Sequence, residues 1–190
     1  MKKLGSRKIE TSRLILRSTE EADLRTVFNI LLIPEVNKYY LTCKMGKTFE
    51  EDYHWQMKKL ARAKNSDVFQ WSIIKKEDNK CIGQISILEK ADYPIEIRDI
   101  GWFIDPSDQK NGYAYEAARS IINYMFDEVG IKAIETSSAI CNSSSFRLME
   151  KLGFKKRSEQ LHKQKYTFVE DFIDCYSYGI TKEEYLKKSS

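Results

Sequence analysis

IEIRDIGWFIDPSDQKNGYAYEAARSIINYMFDEVG, Ile95 to Gly130, changes its hydrophobic period halfway along. The first ten residues, Ile95 to Ile104, read as a strand of short apolar alternation. A polar loop follows. From Ala114 onward the apolar residues Ala117, Ala118, Ile121, Ile122, Met125 and Val129 recur at helical spacing, and Gly130 ends the run. Gly112 stands where the loop becomes the helix. The first amides of a helix have no intrahelical acceptor and the helix dipole is positive there, so this junction suits an anion held by backbone N–H groups. By itself such a glycine is more often an ordinary turn residue.

Outward from this stretch the same two periods alternate. RLILR (Arg13 to Arg17) predicts a strand, and Leu24, Val27, Phe28 and Leu31 predict a helix opened by a Ser18/Glu21 capping box and closed at Pro34. Thr48 and Glu51 repeat the cap ahead of a second helix with a stripe of Phe49, Tyr53, Met57, Leu60 and Ala61. Val68 to Lys76 and Lys80 to Lys90 predict a hairpin turning at EDN. Beyond Gly130, Ile131 to Ile140 is expected as a strand. Asn142 is then expected to cap a short helix carrying Phe146, Met149 and Leu152 and stopped by Gly153. Phe154 to Ile180 reads as two strands joined by a polar loop around His162 to Lys165.

The 190 residues show no repeat and no Gly/Pro/Ser-rich linker, so one domain spanning residues 1–190 is the expectation. A chain of this length buries about 70% of its unfolded surface and folds without staples. Apolar runs reach four or five residues, far below the roughly 20 needed to cross a bilayer. The N-terminus lacks the apolar core of a secretory signal, and a cytoplasmic protein is expected. Cys43, Cys81, Cys141 and Cys175 lack metal-ligand spacing and are expected as reduced, mostly buried thiols, with no metal site. A net charge of +4 permits an anionic ligand. Without a basic stripe interleaved with aromatics it does not argue for nucleic acid.

Four segments together resemble one family. QKNGYA matches the Q/R-x-x-G-x-G/A loop of the GNAT acetyltransferase superfamily at Gln109, Gly112 and Ala114. NSSSFRLMEKLGF (Asn142 to Phe154) resembles the N-x-x-S-x-x-x-x-x-K-x-G-F segment of its RimJ/RimL-like branch, the ribosomal-protein N-terminal acetyltransferases. ETSRLILR (Glu10 to Arg17) and RDIGWFIDP (Arg98 to Pro106) resemble that branch's opening and fourth strands. The resemblance implies an α/β (α+β) domain with a mixed, mostly antiparallel sheet flanked by helices. It also implies an acetyl-CoA site with the pyrophosphate on the amides of Gln109, Lys110, Asn111, Gly112, Tyr113 and Ala114. Trp102, Phe103 and Ile104 would lie along the pantetheine arm, which Asn142 would orient. Many relatives carry Lys or Arg just before the glycine. Here Asn111 stands there, leaving Lys110 as the nearest cation.

The chemistry implied is direct attack of an amine on the thioester, which needs a neutral amine and a proton for the departing thiolate. Asp99 stands at the relatives' fourth-strand glutamate and is the candidate base. The alternative is a surface carboxylate paired with a neighbour such as Arg98. Ser145 matches the position facing the sulfur and is the candidate donor; the alternative is a plain first-turn serine. His54 and His162 read as solvated, and Cys141 as a buried thiol at a strand end. The acceptor is expected to be a protein or peptide N-terminal amine or a small amine, read by the segment from Pro34 to Lys47 and the loop around His162 to Tyr166. Acetylation of a small metabolite or antibiotic, and a non-catalytic acyl-CoA-binding or interaction module, are the competing readings.

Overall fold

The computed structural model describes residues 1–40, 48–63, 68–90, 93–165 and 171–189. Eight strands form one sheet: β1 (Ile9–Glu10), β2 (Leu14–Ser18), β3 (Phe69–Lys75), β4 (Cys81–Glu89), β5 (Ile97–Ile104), β6 (Ala133–Ala139), β7 (Lys155–Gln164) and β8 (Ile173–Thr181). Their spatial order is β1-β2-β3-β4-β5-β6-β8-β7. Every pairing is antiparallel except β5 with β6. Among the described residues six α-helices accompany them: α1 (Glu21–Leu32), α2 (Pro34–Asn37), α3 (Phe49–Ala63), α4 (Tyr113–Tyr124), α5 (Ser143–Leu152) and α6 (Lys182–Ser189). Helix α4 runs on through one widened π turn, Met125–Val129.

Successive residues of a strand point to opposite faces of the sheet, and the sheet is covered on both. Leu14, Leu16, Trp71, Ile85 and Ile100 meet Ala117, Ala118, Ile121 and Ile122 of α4 in the larger core. Ile15, Ile74 and Phe103 meet Val27, Ile30 and Leu31 of α1 in a smaller one. Ala117 and Ala118 are fully buried, and their small side chains let the helix approach the sheet closely. Burial of each large aliphatic side chain contributes about 1.5–3 kcal/mol, so the two layers hold the sheet between them.

The parallel pair β5–β6 is the exception that matters for function. Its register contains only Ile97 opposite Ala133 and Arg98 opposite Ile134. Past Arg98, β5 stays paired with β4 as far as Ile104 opposite Gly83, while β6 stays paired with β8. The two strands therefore part and leave facing backbone edges unpaired. At the fork, Thr136 Oγ1 donates to the Ile100 carbonyl at 3.1 Å in place of a ladder bond. On the other side of β5 the approach is tight: a Cβ at Gly83 would lie 2.2 Å from the Phe103 carbonyl oxygen. Only glycine fits there.

Several expectations change. Ser18 remains in β2 opposite Trp71, so the cap of α1 moves to Glu20, whose N–H donates to Asp23 at 2.9 Å. Thr48 accepts from Glu51 N–H at 3.2 Å as expected, but α3 turns its face. Asp52 and Gln56 are buried and bonded to each other, while Tyr53 is exposed. The expected loop at His162 to Lys165 is largely strand: β7 continues to Gln164, with a register irregularity and a left-handed His162 (φ 47°). Cys81 and Cys175 are buried, but Cys141 occupies the β6–α5 turn and is exposed; Cys43 lies outside the described residues. No helix among the described residues is long and apolar enough to cross a membrane.

Candidate active site

The fork between β5 and β6 opens into a cleft of about 520 Å³, within the range of small-molecule sites. One side is Gly101, Trp102, Phe103 and Ile104 of β5; the other is Thr136, Ser137 and Ser138 of β6. Strand alternation sends Trp102 and Ile104 towards α4 and Phe103 towards α1. All three still border the cleft because β5 has lost its neighbour there. An extended ligand with alternating donors and acceptors can satisfy the exposed edges as a strand would.

At one end the loop after β5 is held rigid. Asp105 accepts from Ser107 N–H at 2.9 Å and starts a short 3-10 turn. Asp108, buried beneath it, receives Lys75 at 3.2 Å and Lys80 at 3.0 Å. Gln109 Nε2 donates to the Ile104 carbonyl at 3.0 Å, tying the loop to the strand end. The Asn111 amide turns inward to the carbonyls of Asp108 and Gln109, both at 3.2 Å, and Asn111 does not line the cleft. Lys110 (φ 63°) and Gly112 (φ 81°) are both left-handed, a conformation that costs a non-glycine residue about 1–2 kcal/mol. The first bond of α4 runs from Glu116 N–H to the Gly112 carbonyl at 3.1 Å, so the amides of Tyr113, Ala114 and Tyr115 have no intrahelical acceptor.

Charge completes this end. Lys110 lines the cleft, and so do Arg147 and Lys151 from α5, which the sequence reading did not single out. The Lys151 ammonium sits 4.5 Å over the Tyr115 ring, itself part of the lining. Among the described residues the lining carboxylates are Glu35 and Asp108, and Asp108 already faces two lysines. Free amides, a helix N-terminus and the positive charge of Lys110, Arg147 and Lys151 together fit a diphosphate.

The other end holds the candidate acid-base groups. Asn142 caps α5, its Oδ1 accepting from Ser145 N–H at 3.4 Å and from Ser144 Oγ at 2.9 Å. Asn142 and Ser145 both line the cleft. Asp99 lies just behind the lining, with Ile100, Gly101 and Thr136 as its neighbours there. Burial pushes its carboxyl above the ordinary aspartate value, against the nearby Thr136 hydroxyl, the Ile100 N–H that donates to it at 2.7 Å and the more distant Lys90. It is not paired with Arg98. That side chain is buried on the opposite face of β5, with Glu89 at 3.5 Å and Met1 Sδ at 3.2 Å.

Tyr40 covers the Asp99 face. Its ring packs edge-on against Phe103 with centroids 5.1 Å apart and lies 3.6 Å from where a Gly101 Cβ would be. Burial, and then the Asp99 charge, push its phenol well above the ordinary tyrosine range, so the hydroxyl stays protonated. Glu35, Val36 and Tyr39 extend the same side of the cleft. The segment expected to read the acceptor, Pro34 to Lys47, thus borders the cleft as far as Tyr40, and its remaining residues lie outside the described ones. His54 is exposed on α3 and His162 on β7, and neither lines the cleft.

Known proteins share this sequence pattern and fold. The sequence profile of the acetyltransferase (GNAT) domain matches residues 13–155. The uncharacterized N-acetyltransferase YnaD of Bacillus subtilis (strain 168) is 29% identical over 177 residues, 93% of this chain and 98% of that protein. The crystal structure of a GNAT-family acetyltransferase from Bacillus anthracis superposes with a TM-score of 0.80 at 25% identity, covering 93% of this chain and 99% of that one. The spermidine N-acetyltransferase of Vibrio cholerae, solved in complex with CoA and spermine, shares the fold with a TM-score of 0.77 at 20% identity, over 93% of this chain and 99% of that one. The chain belongs to the GNAT acetyltransferase family and is an N-acetyltransferase that uses acetyl-CoA.

Proposed function

We propose that this enzyme acetylates the α-amine of a peptide or protein N-terminus, or a small primary amine of similar basicity, in the manner of the RimJ/RimL-like branch. One observation carries the reading: the fork of β5 and β6 runs between free amides at the head of α4 and the half-buried carboxyl of Asp99, whose affinity for protons burial raises. The coenzyme supplies an activated acetyl thioester. Tyr113, Ala114 and Tyr115 hold its diphosphate through their N–H groups, helped by Lys110. The open edge of β5 from Gly101 to Ile104 and the cap residue Asn142 orient the arm so that its end lies near Ser145.

Asp99 accepts the proton the attacking amine loses, directly or through one water, and its raised affinity for protons suits that task. As the C–N bond forms and the C–S bond breaks, the Ser145 hydroxyl gives its proton to the departing sulfur and recovers one from solvent. The acceptor class follows from magnitudes. An α-amine with pKa about 8 is deprotonated at pH 7 for roughly 1 kcal/mol, whereas a lysine-like amine costs roughly 4.6. A single half-buried carboxylate serves the former better. The cleft also lacks the carboxylate cluster that a polycation needs, since among the described lining residues Glu35 is the sole acid without a lysine partner. Its cations would repel a polyamine.

An acceptor screen monitoring CoA thiol release tests the proposal. N-terminal peptides and small α-amines should turn over, and polyamines should not. Turnover of an aminoglycoside or a polyamine with no activity on any peptide would replace the acceptor assignment. Turnover unchanged in both Asp99→Asn and Ser145→Ala would remove the two residue roles.

A further inference from the structure

The motif ETSRLILR contributes two arginines that the reaction does not use, and the structure gives them parallel tasks at two helix heads. Arg17 grips Asp23 in the first turn of α1 with both ends of its fork, at 2.7 and 3.0 Å. Arg13 reaches the first turn of α4 instead. Its Nε donates to Glu116 Oε2 at 2.7 Å, its Nη1 donates to the Asn111 carbonyl at 2.9 Å, and its guanidinium lies 4.6 Å over the Tyr113 ring. Glu116 in turn gathers the turn between β1 and β2, accepting from Thr11 Oγ1 at 2.6 Å, Ser12 Oγ at 3.0 Å and Arg13 N–H at 2.9 Å.

We propose that Arg13 is a positioning residue for the diphosphate of the coenzyme, acting through the peptide between Asn111 and Gly112. A trans peptide sends its C=O and N–H in opposite directions. With the Asn111 carbonyl turned onto Arg13, the Gly112 N–H is turned away from it. The same grip fixes Gly112 in its left-handed state, with Arg13 Nη2 3.5 Å from the site of an added Cβ. An exposed ion pair contributes little, but this one is anchored: the Glu116 side chain is 15% exposed. Burial alone would raise its carboxyl. The hydrogen bonds from Thr11, Arg13 and Ser12 override that and hold it at about 2, so the pair stays ionised through the neutral range. Arg13 thus compensates for the absence of a cation at position 111 by fixing the loop from behind rather than by touching phosphate.

The inference rests on the coenzyme site proposed above, and the test separates the two. Binding of acetyl-CoA to the full chain is measured by calorimetry, and turnover is followed with acetyl-CoA and with S-acetylpantetheine, which lacks the phosphates. Arg13→Gln should raise Kd and KM for acetyl-CoA roughly ten- to a hundredfold, the loss expected for a charge-assisted bond. Its kcat at saturation and its turnover of S-acetylpantetheine should stay unchanged. Arg13→Lys should fall between, because one ammonium cannot reproduce the fork. Glu116→Gln, which loosens the pair from its other side, should reproduce the phosphate-specific loss if the Arg13 variant folds poorly. Arg17→Gln should lower Tm without moving Kd for acetyl-CoA. Equal losses with both donors, unchanged binding in Arg13→Gln, or an equal loss in Arg17→Gln would overturn the assignment. Failure of the wild-type chain to bind acetyl-CoA would remove the site itself.

Discussion

The two ends of the cleft are built on opposite principles. At the α4 end the groups offered to a ligand are main-chain amides. The side chains around them, Gln109, Asn111, Asp108 and Arg13, are spent on the protein itself, tying carbonyls and lysines together behind the loop. At the Asp99 end side chains face the ligand. The backbone there belongs to β5 and to α2, a helix of four residues. Backbone sites tolerate few substitutions, because geometry does the binding; side-chain sites are re-tuned one residue at a time. A coenzyme site made of backbone is therefore shared among distant relatives, while the acceptor site depends on this chain's own charges.

Breaking the backbone end should have the larger effect. Gly112→Asp forces a non-glycine residue into φ 81° and sets a carboxylate against the diphosphate. With a strain of about 1–2 kcal/mol and like-charge repulsion added, acetyl-CoA binding by calorimetry should weaken by at least about a hundredfold. At the other end, Asp99→Asn should leave that binding intact and lower kcat by roughly 10²–10³. The pH dependence carries a sign. Wild-type kcat/KM should rise with pH through a midpoint above the ordinary aspartate value of about 3.9, because burial raises the carboxyl. The asparagine variant should lose that limb.

A smaller effect separates stability from catalysis. Glu116 is ionised in the fold down to about 2, against about 4.3 in an unfolded chain. Its contribution is therefore fully present above the unfolded value and fades as pH falls towards about 2. In denaturant titrations the gap between wild type and Glu116→Gln should be widest near pH 7 and close below pH 3. Smallest of all, Tyr40→Ala should raise KM for the amine a few-fold by opening the cover over Gly101 and Phe103, leaving Kd for acetyl-CoA unchanged. A reversed pattern, with acetyl-CoA affinity lost and the amine unaffected, would exchange the roles of the two ends.

Much of the backbone end was legible in the sequence, because a period change from strand to helix with one glycine between leaves few conformations. The fork was legible only through the resemblance, which implies a splayed strand end near Trp102 to Ile104; no residue of β5 or β6 itself marks where pairing stops. The pairing of Asp99 with Arg98 could have been rejected by parity alone, as adjacent strand residues face opposite ways. Thr181 to Glu184 carries a capping-box spacing that marks one more helix. Thr181 Oγ1 accepts from Glu184 N–H at 3.2 Å, and α6 follows, burying Tyr185 against Phe126. Other features had no local signal. Asp52 and Gln56 are inward because they satisfy each other, and β7 is an edge strand with a largely exposed, polar sequence, so alternation could not set its end. Arg147 and Lys151 enter the cleft only because α5 packs beside the head of α4.

A crystal structure of the chain grown with CoA tests the central claim most directly. The account predicts diphosphate oxygens within hydrogen-bonding distance of the amides of Tyr113, Ala114 and Tyr115, and the pantetheine arm laid along Gly101 to Ile104 with its sulfur beside Ser145. CoA bound elsewhere on the surface, with β5 and β6 still parted and their edges bare, would contradict it.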